Sequence, residues 1–78
     1  MAIDKKDVVA EYIAYDAVVN GVAAGIAIRN LGRGLHPFVV HYFTEKEDER
    51  DYFWGHYFKT LKDAALDFKD RVSSEIRI

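Results

Sequence analysis

Few side chains in this sequence could carry chemistry. His36, His41 and His56 are the metal-ligand candidates. A stable site needs three or four ligands in fixed geometry, and no HxH, HxxxH or cysteine partner accompanies them. Histidines of intermediate burial are ordinary in strands, so no metal is expected, although His41 and His56 could stand side by side on adjacent strands. The only serines, Ser73 and Ser74, fall late in a helix-forming run and no cysteine is present, which leaves no nucleophile near a base. Paired carboxylates occur only in the charged run 45–51 and on the outside of the C-terminal segment, where no burial would raise a pKa. Gly32-Arg33-Gly34 lacks Walker or dinucleotide spacing. The expectation is a protein that is not an enzyme, with no catalytic residues and no cofactor.

Composition narrows the partners. The 78 residues are expected to form one domain, a size at which one core leaves a thin stability margin. Without cysteine the disulfide and thiolate-zinc routes to extra stability are closed, leaving an unusually apolar core or self-association. Half the residues are hydrophobic and 14% are aromatic. No apolar run approaches the ~20 residues of a membrane helix, and the charged first residues contain no signal-like apolar stretch, so the expected location is cytoplasmic. The formal net charge is −2, without the basic stripe of a phosphate binder. The mixed run Glu45 to Asp51, with Lys46 and Arg50 among its acids, reads as a solvated turn.

The elements follow from local signals. Asn20-Gly21 accepts positive φ at both central turn positions and marks a two-residue hairpin between residues 12–19 and 22–29. The second run alternates, with Val22, Ala24, Ile26 and Ile28 on one face. Helix competes for residues 4–19; strand is preferred from Tyr12 onward, after a helical turn over Asp4 to Ala10. Residues 30–35 form a glycine-bearing loop, and His36-Pro37 forces an extended entry into a strand at 38–43. Tyr52 to Phe58 is the fourth strand, with Tyr42 placed opposite Gly55. Thr60 is an N-cap, with Asp63 three residues on. Leu61, Ala64, Ala65, Phe68, Val72 and Ile76 then share one stripe, and the helix is expected from about 60 to 76. Lys69, Arg71 and Arg77 suit its C-terminal dipole. The fold class is α+β: a four-stranded antiparallel sheet, β-β-β-β-α, with the helix on one face.

Ten of the aromatic rings fall on these strands, and one helix covers one face only. The uncovered face is therefore expected to be a contact surface, used by a protein partner or in a homodimer. Simple alternation puts Tyr52, Trp54, His56 and Phe58 on one side and Phe53, Gly55 and Tyr57 on the other. Because an imidazole prefers a polar neighbour, Trp54 and His56 are expected at the contact surface and Phe53 and Tyr57 beneath Phe68 and Val72. The partner-binding candidates are Trp54, His56, Tyr42, Arg29 and Arg33.

Residues 36–75 carry an aromatic Trp54-Gly55-His56-Tyr57 strand followed by Ala64-Ala65-Leu66-Asp67-Phe68-Lys69-Asp70-Arg71, an Ala-x-x-Asp-Phe-x-x-Arg helix. This pairing resembles small uncharacterised proteins of bacterial conjugative elements and prophages. The resemblance implies a mobile-element accessory protein and no activity. Non-enzymatic proteins of this kind often bind and block host machinery, including CRISPR effectors. The function expected is a non-catalytic protein-binding module. The alternative is a single-stranded nucleic-acid binder that stacks bases on the sheet, with Arg29, Arg33, Lys5 and Lys6 as a thin basic groove.

Overall fold

In the computed structural model the described residues are 5–19, 21–47 and 49–75. The chain runs β1 (Val8–Val19), β2 (Val22–Asn30), β3 (Phe38–Lys46), β4 (Glu49–Phe58) and α1 (Leu61–Glu75). The strands form one antiparallel sheet in the order β1-β2-β3-β4. This is the α+β architecture expected, with β1 and β4 as its edges. Val19 pairs with Val22 where the chain turns back from β1 to β2. Gly21 takes φ 77°; Asn20 lies outside the described residues, as do Asp4, Ile76 and Arg77.

Three features differ from the sequence reading. β1 begins at Val8, and the expected helical segment shrinks to one turn in which the Val8 amide donates to the Lys5 carbonyl at 3.0 Å. The run read as a charged loop is mostly strand: Glu45 pairs with Arg50 and Lys46 with Glu49. The helix stripe is narrower than expected, because Leu61 and Ala65 are exposed while Ala64, Phe68 and Val72 meet the sheet.

The helix starts where the N-cap placed it. Thr60 Oγ accepts from the Asp63 amide at 3.2 Å, and the Thr60 carbonyl accepts from Ala64. Only Lys59 and Thr60 separate β4 from α1, so the helix folds straight back over β2, β3 and β4. Its sheet-facing side buries Ala64 on Ile26, Ile28 and Val40, flanked by Phe38, Tyr42, Phe58, Phe68 and Val72.

One irregularity sets the faces of β4. Val40 pairs with His56 and Tyr42 with Phe53, so Trp54 and Gly55 together oppose His41. Two residues against one is a β-bulge, and it shifts the alternation by one. Phe53, His56 and Phe58 share the helix side, while Tyr52 and Tyr57 lie on the other. Tyr57 is therefore not under Phe68 and Val72 as expected, and His41 and His56 stand on opposite faces. Tyr42 lies opposite Phe53, not Gly55.

Candidate functional site

The face away from the helix is closed by its own arginines, not left as an aromatic surface. Arg50 has a side chain only 1% exposed; it donates to Glu11 Oε2 at 2.9 Å and to Glu45 Oε1 at 2.6 Å. Its guanidinium lies 3.9 Å over the ring of Phe43, which is fully buried. Burial works against the charge of Arg50, but hydrogen bonds to Tyr52, Glu45 and Glu11 more than reverse that and raise its pKa. Burial likewise opposes ionisation of Glu11, and bonds from Arg50 and Lys5 still hold its carboxyl below the usual value. Arg29 donates to Asp7 Oδ2 at 2.6 Å and sits 4.5 Å over Tyr52. That hydrogen bond raises Arg29 and lowers Asp7.

Beneath this roof lies His41, 7% exposed, with its ring 4.8 Å from that of Tyr52. Its Nε2 is buried without a hydrogen-bond partner. Burial first, then the neighbouring Arg29, pushes its pKa down to about 4. Gly55 completes the fit, since a Cβ there would stand 3.0 Å from Val39 Cγ2 and 3.1 Å from His41 Nδ1.

The helix side of β4 is organised differently. Trp54, at the bulge, has φ 53° and is 75% exposed. Its indole meets Tyr42 and Phe53 edge-on, at 5.9 and 5.1 Å between centroids. Arg71 reaches from α1 to close the group. It donates to the Trp54 carbonyl at 3.4 Å and to His56 Nδ1 at 2.7 Å, and lies 5.2 Å over the Tyr42 ring. Since Arg71 can only donate, His56 accepts at Nδ1 and carries its proton on Nε2. Asp67 Oδ2 stands 2.9 Å from Arg71 Nε, an ion pair one helical turn away that is a charge contact without an aligned hydrogen bond.

Of the partner-binding candidates, Trp54, His56 and Tyr42 thus come together at one edge. Arg29 lies on the opposite face, already engaged, and Arg33 is exposed in the β2–β3 loop. Phe53 shares the helix side with His56, so the two are not divided between faces as expected. Sequence reasoning placed Arg50 in a solvated turn and Arg71 at the helix end, and missed both as parts of these groups. A glycine inside an aromatic strand was the available signal for the bulge; Arg71 carried only its (i, i+4) spacing from Asp67.

A cleft of about 100 Å³ adjoins this group, lined by Tyr12, Ala24, Ile26, Tyr42, Phe53 and Glu75 among others.

Among the described residues no group of three or more His, Asp or Glu side chains could hold a metal ion, and no helix is long and apolar enough to cross a membrane. Compared with known protein families, curated proteins and solved structures, the chain matches none.

Proposed function

We propose that this chain is a non-catalytic protein-binding module whose contact surface is the outer edge of β4 around Trp54. The observation that carries this reading is the state of that tryptophan: 75% exposed, on an edge strand, at a backbone angle bulky residues avoid. Strain of this kind persists where surrounding contacts over-determine it and clusters at ligand clamps. Here Tyr42, Phe53 and Arg71 supply the contacts, and the bulge turns the indole outward. Exposed tryptophans beside tyrosine and arginine are the usual anchors of protein interfaces. The same bulge interrupts the edge, which favours recognition by side chains over addition of a strand.

The resemblance of residues 36–75 to proteins of conjugative elements and prophages supports a mobile-element origin. In that setting the partner is a host factor and binding inhibits it, an anti-defence or anti-CRISPR role included. Base stacking on the sheet is the less favoured reading, because Phe43 and Tyr52 lie under Arg50 and Arg29, whose charges are paired with carboxylates.

The test compares proteins captured from bacterial lysate by the wild-type chain and by Trp54→Ala, at low and high salt. Light scattering reads whether the partner is a second copy, and fluorescence anisotropy reads single-stranded DNA and RNA. The expected result is a protein retained at high salt and lost with Trp54→Ala. Micromolar nucleic-acid binding that fades with salt and requires Arg29 and Arg33 would overturn the reading.

A further inference from the structure

We infer that the cleft lined by Tyr12, Tyr42, Phe53 and Glu75 is a seat for an arginine side chain of the partner protein, stacked on Tyr42 and Phe53 and paired with Glu75. This rests on the protein-binding reading and names the chemistry that the partner brings.

The argument starts from what this fold does with arginine. Arg29 lies over Tyr52 beside Asp7, Arg50 over Phe43 beside Glu11 and Glu45, and Arg71 over Tyr42 beside Asp67. Each pairs an aromatic face with a carboxylate. The cleft assembles the same two components a fourth time. Tyr42 and Phe53 are close to parallel, 22° apart with centroids separated by 6.3 Å, and Tyr12 adds a third ring to the lining. Glu75 supplies the carboxylate, and no arginine among the described residues is paired with it.

Local charge points the same way. Asp67 balances Arg71, and among the described residues Glu75 is the one charged side chain that lines the cleft. Among the described residues the last turn of α1 holds no basic side chain. A concave aromatic lining with one carboxylate recognises an organic cation. Guanidinium suits it better than ammonium, because its plane stacks on a ring while its edge forks onto a carboxylate.

The test is an NMR titration of the full chain with N-acetyl-arginine methylamide, against the neutral isostere N-acetyl-citrulline methylamide. The arginine probe should shift the Tyr12, Tyr42 and Phe53 ring resonances at millimolar concentration and bind about fivefold tighter than citrulline. Glu75→Gln, an exposed change with little risk to folding, should weaken the arginine probe to the level of citrulline and leave citrulline unchanged. Equal shifts from both probes, or shifts elsewhere, would overturn the assignment. Ring shifts that appear only after Arg77→Ala would also overturn it, giving the seat to the chain's own arginine. A partner lost with Trp54→Ala but bound equally well by Glu75→Gln removes the arginine and leaves the protein-binding reading standing.

Discussion

The two faces of the sheet use one interaction for opposite ends. On the face away from the helix, Arg50 and Arg29 lie over Phe43 and Tyr52 and knit β1, β2, β3 and β4 together through carboxylates from both ends of the sheet. On the helix face, Arg71 lies over Tyr42 and fixes the carbonyl of Trp54, but the indole it braces stays in solvent. Burial makes the difference. A guanidinium shielded from water interacts strongly with every neighbour and is costly to lose. The Asp67–Arg71 pair is less deeply buried, with side chains 27% and 11% exposed and no aligned hydrogen bond between them, so less of the fold depends on that region.

The sharpest way to break the comparison is to remove one arginine from each face. Arg50→Ala leaves Glu11 and Glu45 facing each other over the uncovered ring of Phe43, and should cost about 3–5 kcal/mol in urea unfolding. Arg50→Lys should restore little, since ammonium cannot fork between two carboxylates and cover the ring together. Arg71→Ala should cost less, about 1–2 kcal/mol, through the bonds to His56 and the Trp54 carbonyl that it removes. Equal losses from the two alanine variants would erase the distinction between a structural roof and a contact edge.

The roof also predicts a pH dependence, through His41. Its surroundings are Asp7 ahead of β1, Arg29 from β2, and Tyr52 and Gly55 from β4, with Arg71 acting more remotely from the helix. The unfolded chain takes up this proton near the ordinary value of 6.5, whereas the folded chain holds it off until about 4. Stability is therefore full above about pH 6.5 and falls as pH drops toward 4, by about 3 kcal/mol from this residue. Asp7 and Glu11, both held below their ordinary values, add a further loss at still lower pH. Urea melts across this range should show the slope, and His41→Leu should flatten the part between about pH 6.5 and 4. An unchanged slope would remove His41 from the account.

How much was legible in the sequence divides along the same line. The hairpin at Gly21, the N-cap at Thr60 and the element order depend on contacts within a few residues, and local patterning reports those directly. Faces depend on alternation, which one bulge reverses. Hence His56 and Phe53 were assigned to opposite sides although both lie beside the helix. Arg50 was obscured for a different reason. Its charged neighbours read as a solvated turn, while its partner Glu11 belongs to a strand 39 residues away in sequence. The Tyr42–Trp54–His56 group was partly legible, because aromatic type and strand position do not depend on register.

The smallest expected effect tests the contact edge most directly. At φ 53° a residue with a Cβ pays for the left-handed backbone, by about 1 kcal/mol relative to glycine. Against that stand the edge-on contacts of the indole with Tyr42 and Phe53, worth about 0.5–1.5 kcal/mol. Trp54→Ala loses the contacts and keeps the strain, so it should destabilise by about 1 kcal/mol. Trp54→Gly loses the contacts and relieves the strain, so its stability should lie close to wild type and about 1 kcal/mol above that of the alanine variant. This ordering reverses the usual penalty for glycine within a strand. Both variants should lose the partner equally, because neither presents an indole. A glycine variant less stable than the alanine variant would show that Trp54 is not held against a backbone preference. The strain argument for its role at the surface would then fail, whatever the binding data showed.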